Sequence, residues 1–291
     1  NITIENGAQL VYDGQIISGN THYDIKEGAK WDVDSGQYTN DEYHGVPGGA
    51  VLTNAGEVTL QDDVTFANST AWNLGGAVYN TGTIQAAISP EFGTYAENTQ
   101  FTNNKAGYYL GGEKYQDNQH GGAIYNAGTG IVDLGDKAVF ADNKATGHGG
   151  AIYNISNGTE TQQAINIRDN SQFRDNKSLL NGGAIYSGSN GEITIGENAI
   201  ISGNKAGFTA SGSLSKNSSG GAVYITDNST VSFGKNTSFS NNFARNEGGA
   251  IYNASNLVFD GTGINFIRNG SYDTHVTSRG GAIYNDDDGT M

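Results

Sequence analysis

Apolar and polar residues alternate along this chain in bursts of three or four positions, each closed by Gly, Asn, Asp or Ser, and no stretch sustains a helical period. Val58-Thr59-Leu60, Ile131-Val132-Asp133-Leu134, Ile165-Asn166-Ile167, Ile193-Thr194-Ile195, Val231-Ser232-Phe233 and Leu257-Val258-Phe259 are bursts of this kind. Two other segments recur almost verbatim. Gly-Gly-Ala-Ile-Tyr-Asn returns with small changes eight times, beginning at Gly48, Gly75, Gly121, Gly149, Gly182, Gly220, Gly248 and Gly280. Phe-x-x-Asn begins at Phe101, Phe140, Phe173, Phe239 and Phe266, Ile201 replaces the aromatic once, and Phe66-Ala67-Asn68-Ser69 reads as a shifted version. The shortest complete unit, from Gly48 to Gly75, is 27 residues. Three short strands in that length predict an all-β solenoid, a parallel β-helix whose coils hydrogen-bond along the axis at about 4.8 Å, giving a rod on the order of 45 Å long.

Alternation within the hexapeptide assigns its residues to faces. Val51, Val78, Ile124, Ile152, Ile185, Val223, Ile251 and Ile283 are expected inside, where β-branched side chains pack well on a pleated surface. The next position then forms an outer column of Leu52, Tyr79, Tyr125, Tyr153, Tyr186, Tyr224, Tyr252 and Tyr284, although the reverse assignment, burying Ala and Tyr, stays open. Asn80, Asn126, Asn154, Asn253 and Asn285 return inward at a corner, where amides bond their neighbours above and below; Ser187 and Ile225 interrupt that row. The paired glycines are expected to hold corner geometry that a Cβ would block. Residues 1–47 read as irregular N-terminal coils or a partial cap, with Ile17-Ser18-Gly19-Asn20 previewing the Phe-x-x-Asn motif, and residues 48–291 as the repeat body.

Composition narrows the functional classes. A net charge of −15 and a pI near 4.5 disfavour nucleic acid and anionic membrane surfaces as partners. No apolar run is long enough to insert in a bilayer as a helix, and no signal-peptide pattern opens the chain, which starts at Asn1 and stops at Met291 and reads as a piece of a longer protein. With no cysteine there are no disulfides or thiolate metal sites, a composition that suits export of an unfolded chain through a narrow pore.

The doubled motif at fixed spacing, as in Phe140-Ala-Asp-Asn-Lys-Ala-Thr-Gly-His-Gly149-Gly-Ala-Ile-Tyr-Asn154 and Phe239-Ser-Asn-Asn-Phe-Ala-Arg-Asn-Glu-Gly248-Gly-Ala-Ile-Tyr-Asn253, resembles the repeat of the chlamydial polymorphic outer membrane proteins. Similar repeats occur in other autotransporter-like surface proteins, and the likeness runs from about Phe66 to Tyr284. The resemblance implies a right-handed parallel β-helix passenger, secreted through an outer-membrane β-barrel and displayed on a Gram-negative cell surface. It further implies adhesion to host-cell or bacterial surface proteins or glycans, with self-association of rods as one version.

Recognition is expected in the insertions, because loops on a regular scaffold tolerate change. Residues 105–120, 205–219 and 270–279 enlarge one corner, with candidate ligand-binding side chains Tyr108, Tyr109, Tyr115, His120, Phe208, Tyr272 and His275. The tyrosine column is either a second aromatic surface or a stacking ladder that stabilises the sheet. A polysaccharide lyase or glycosidase on the same scaffold would need clustered carboxylates, and Asp32-x-Asp34, Asp62-Asp63 and Asp286-Asp287-Asp288 read instead as solvated turn acids. The histidines His22, His44, His120, His148 and His275 lack metal-ligand spacing, so no catalytic residue, metal or cofactor is expected. A passive stalk is the remaining alternative.

Overall fold

A computed structural model describes residues 51–291 except 72, 108–117, 160, 209–217 and 272–278, together with the backbone of five short strands before residue 39. The described residues contain no helix, and the strands stack in parallel as a right-handed β-helix, the hand that twisted strands impose on parallel connections. Each coil visits four sheets in a fixed order. A hexapeptide strand such as Ile124–Asn126 leads to an alternating strand, Ile131–Leu134, then to a phenylalanine strand, Val139–Ala141, and last to a two-residue strand, Lys144–Ala145. The three longer strands are those the alternation predicts. The fourth is too short for any period to register, yet it builds a seven-stranded sheet from Thr70–Ala71 to Gly270–Ser271.

The hexapeptide sheet has nine strands, so it extends about 38 Å along the axis. Ile2–Ile4, Gln9–Val11 and Ile16–Ser18 pair in parallel beneath Val58–Leu60, Thr65–Ala67 and Leu52–Asn54. Ile17 therefore lies in the hexapeptide sheet opposite Thr53, and it is Leu10 that stands under Phe66, so the expected preview of Phe-x-x-Asn at Ile17 does not hold. Trp31–Asp32 and Gln37–Tyr38 form a separate antiparallel pair.

The core follows the predicted faces. Val78, Ile124, Ile152, Ile185, Val223 and Ile251 are fully buried, and the tyrosines after them lie on the outer side. Position 52 departs from the expectation: this copy carries an extra residue, Leu52 pairs with Val78 and is buried, and Thr53 occupies the tyrosine position. The alanine before each inward Ile or Val is buried as well, since the backbone turns between them and one alanine carbonyl, such as Ala151 O, accepts from both Ala123 N–H and Ile124 N–H at 2.9 Å.

Axial columns carry the packing. Phe66, Phe101, Phe140 and Phe173 stack face to face at 4.8–4.9 Å, Ile201 breaks the column, and Phe239 and Phe266 resume it. Phe66 is in register with Phe101, so its motif is not shifted; Ser69 stands where later coils carry Asn. Those asparagines form an unbroken buried row from Asn104 through Asn143, Asn176, Asn204 and Asn242 to Asn269. Each Nδ2 donates to Oδ1 of the next coil at 2.9–3.0 Å and to a backbone carbonyl of the preceding coil. Asn54, Asn80, Asn126 and Asn154 make the second row, which stops at Ser187 and Ile225 as the sequence indicates.

The two glycines of each pair serve different ends. The first, such as Gly149 with φ +63°, sits in the left-handed region, and a Cβ there would fall 2.1 Å from Ile152 O. The second, such as Gly150, lies where coils approach most closely, and its Cβ would fall 2.0 Å from Gly183 O.

Candidate functional site

The three insertions leave the rod at one corner, between the two-residue strands and the hexapeptide sheet. They follow Lys105–Ala106, Lys205–Ala206 and Gly270–Ser271 and rejoin at Gly121, Gly220 and Gly280. Lys105–Ala106 and Lys205–Ala206 are three coils apart, and Lys205–Ala206 and Gly270–Ser271 two, so the exits align axially at about 14 and 10 Å intervals. Where no insertion is present, Thr146, Gly147 and His148 cross the same corner.

Tyr108, Tyr109, Tyr115, Tyr272 and His275 lie outside the described residues. His120 and Phe208 are described, and both fold onto the rod. The His120 ring stacks at 4.5 Å on Tyr153 and 5.1 Å from His148, and its Nδ1 accepts from His148 N–H at 3.0 Å. His148 Nδ1 accepts in turn from Asn181 N–H at 3.1 Å, and Asn181 Oδ1 accepts from Ser219 N–H at 3.0 Å. Two imidazoles and an amide thus fill equivalent places in successive coils as acceptors, a role that needs unprotonated Nδ1 atoms. Burial pushes His120 down to about 4; burial and the neighbouring His120 push His148 down to about 3. Phe208 sits edge-on to Phe243 at 5.7 Å, with Lys205 Nζ 5.6 Å from its ring.

The tyrosine column stacks from Tyr79 to Tyr284 with centroids 4.6–5.4 Å apart. Ring faces are occupied by neighbouring rings, and at the far end the Tyr252 hydroxyl donates to Asp286 while the Tyr284 hydroxyl accepts from Arg279. Burial raises the pKa values of Tyr125, Tyr153, Tyr186, Tyr224 and Tyr252, so the phenols stay protonated donors. Sugar rings that bind by stacking on an open aromatic face find none inside this column.

The acidic pairs serve turns. Asp62 Oδ1 accepts from Glu97 N–H at 2.8 Å, Asp63 accepts from Asn98 Nδ2 at 2.7 Å, and Asp286 accepts from the Tyr252 hydroxyl and from Asp287 N–H. Among the described residues no three His, Asp or Glu side chains converge as metal ligands, and no helix is long and apolar enough to cross a membrane. The side chains of Asp32, Asp34, His22 and His44 lie outside the described residues.

Two surface features escape the sequence reading. One is a hairpin between the alternating and phenylalanine strands of one coil, bridged at Ile88 and Tyr95, with Phe92 at its tip 74 % exposed. Arg168 lies 3.4 Å over the Tyr95 ring and pairs with Asp133 at 3.1 Å. The 26 residues from Gly75 to Phe101 were its signal. The other is a row of lysines, Lys105, Lys144, Lys177 and Lys205, in register across four successive coils. Its signal is the lysine that follows Asn in four successive copies of the motif.

Four stretches, residues 98–127, 137–155, 170–188 and 236–254, match the Chlamydia polymorphic membrane protein (Chlamydia_PMP) repeat. Each spans the phenylalanine strand and the hexapeptide that follows it, the two sheets where the asparagine rows lie. No curated protein and no solved structure matches the chain.

Proposed function

The chain carries repeats of the Chlamydia polymorphic membrane protein family, and from that premise we propose that it is an adhesive passenger displayed on a Gram-negative cell surface. Proteins of this family are outer-membrane or surface proteins, which makes the exposed rod the part available to partners. The observation that carries the adhesive reading is the common exit of the three insertions. Aromatic, amide and glycine positions in the coil are committed to stacking, while this corner is enlarged in three separate coils and varies in length from three residues to more than twelve. Recognition then belongs to an aligned ridge of insertions acting by contact, without catalysis, on a surface protein or glycan of a host or bacterial cell. Self-association of rods through the same ridge is a version of this function.

Purified protein tests the reading by its binding to host cells, to bacteria and to a glycan panel. Replacing residues 107–120 by the short Thr146-Gly147-His148 crossing is expected to lower cell binding at least tenfold while the far-ultraviolet spectrum stays that of a β-helix. Undiminished binding after all three insertions are shortened would overturn the ridge. Release of reducing ends or unsaturated sugars from polysaccharide would replace adhesion with enzymatic action.

A further inference from the structure

We propose that the lysine row Lys105, Lys144, Lys177 and Lys205 is a binding track for a linear sulfated polysaccharide lying along the rod axis. The row belongs to the sheet of two-residue strands: Lys105 pairs with Lys144, Lys144 with Lys177, and Lys177 with Lys205. The following residue in each strand, Ala106, Ala145, Ser178 or Ala206, is buried, so the four ammonium-bearing chains project from the outer face. Four like charges at a 4.8 Å axial step span about 14 Å.

Such a row is unfavourable on its own. Burial, together with Lys105 and Lys177 on either side, holds the Lys144 ammonium below the ordinary lysine range. Among the described residues none of the four forms an ion pair, whereas Lys137 and Lys235, at another corner, are paired to Glu97 and Glu197. The nearest carboxylates in sequence are Asp142 and Asp175, and exposed Arg174 lies beside Asp175. The row ends at Lys205, because Phe243 and Gly270 take the next two places in register. An anion with regularly spaced charges relieves the mutual repulsion of the lysines, and that relief adds to the attraction it gains.

The net charge of −15 does not forbid this, because apart from Asp142 and Asp175 the acids nearest the track are gathered at another corner. Glu97, Asp136, Asp169 and Glu197 stack at the corner that precedes the phenylalanine strands, joined coil to coil through their neighbours' backbone bonds. A three-residue strand of about 10 Å, with corners at both ends, separates that column from the lysines. The screening length at physiological ionic strength is about 8 Å. The positive track is therefore one lysine wide and bordered by a corner that stays net negative, since Lys137 and Lys235 offset only two of its four acids. A broad polyanion such as duplex nucleic acid, or a flat anionic membrane, meets both columns; a single thin chain meets only the lysines. Sulfate esters are permanently ionised, and the sugar hydroxyls between them match polar neighbours such as Thr102 and Ser202 on the adjoining strands.

The inference deepens the adhesive reading by naming a ligand class, but it places the contact on the side of the rod, so the two fail separately. Intact protein is titrated with heparin, with chemically desulfated heparin, with hyaluronan and with a single-stranded oligonucleotide, at several salt concentrations. Heparin is expected to bind best, with log K falling against log salt by about 0.7 for each lysine engaged. Lys144→Gln should weaken it about threefold to tenfold, and the quadruple Lys→Gln variant at 105, 144, 177 and 205 should remove it. Lys137→Gln with Lys235→Gln should leave it unchanged, and shortening the insertions should not abolish it. Circular dichroism of the quadruple variant should match the parent, because the change removes repulsion; if that variant unfolds, the single substitutions and the salt slope decide. Heparin binding that survives the quadruple change, equal binding of desulfated chains, or tighter binding of the oligonucleotide would each overturn the proposal.

Discussion

Single positions in this rod differ sharply in what they tolerate, and the difference follows from the columns. Asn176 is buried, donates to Asn204 and to Phe140 O, and its Oδ1 accepts from both the backbone and the side chain of Asn143. Asn176→Ala removes a partner from four buried groups and is expected to cost roughly 4 kcal/mol in a denaturant titration, given about 1 kcal/mol for each hydrogen bond lost. Asn285→Ala, at the exposed end of the other row, should cost well under 1 kcal/mol. Glycines divide the same way. Gly150→Ala places a methyl group 2.0 Å from Gly183 O and is expected to prevent native stacking, seen as loss of the cooperative melt. Gly128→Ala meets nothing within 4 Å and strains only its φ of +63°, so it should cost about 1 kcal/mol.

At the scale of strands and corners, the histidine crossing carries a pH dependence. His120 and His148 have folded pKa values pushed down to about 4 and about 3, against about 6.5 when unfolded. Below pH 6.5 the unfolded chain therefore binds protons that the folded chain does not, and stability falls as pH falls toward 4; above 6.5 these groups contribute no slope. The pair should account for on the order of 2 kcal/mol of loss at pH 5, after discounting for partial exposure. Asn181 fills the same acceptor position one coil on, so His148→Asn keeps the hydrogen bond and should remove part of the slope between pH 6.5 and 4 in melts of variant against parent. Much of this element-level arrangement is legible in sequence. The hexapeptide and Phe-x-x-Asn motifs mark two sheets, alternation marks a third, and the Ile or Val inside, Tyr outside assignment holds because one residue of offset separates core from solvent. The fourth sheet is not legible, since two residues contain no period. Leu52 was misplaced because an inserted residue leaves the apolar count looking regular. Burial of both alanine and isoleucine depends on a turn within the hexapeptide that period-two reasoning cannot represent. Of the expected binding side chains, His120 and Phe208 carry no sequence mark of the ring contacts that draw them onto the rod, because those partners lie a coil away.

For the molecule as a whole, like charges repeat at the axial step, which makes the rod an array of same-sign columns. The chain carries 30 acidic residues against 15 lysines and arginines, and Asp136, Asp169 and Glu197 lie in adjacent coils. Screening should therefore favour the folded rod: raising salt from about 10 mM to about 150 mM is expected to raise the melting temperature by several degrees, with a smaller rise at pH 4.5, where acids begin to protonate. A melting temperature indifferent to salt at pH 7 would mean that the column charges are already balanced locally.

The asparagine rows give the rod a direction. In the longer row every amide-to-amide link runs the same way, one Nδ2 hydrogen reaching the asparagine of higher residue number and each accepting Oδ1 facing the one of lower, while the second hydrogen returns to a carbonyl of the preceding coil. The beginning of that row asks its neighbour only for a hydrogen, which Ser69 supplies from its backbone, while the far end offers hydrogen and asks for oxygen. A serine that opens the row would therefore be a poor substitute further along it, and a coil grafted upside down would meet oxygen with oxygen.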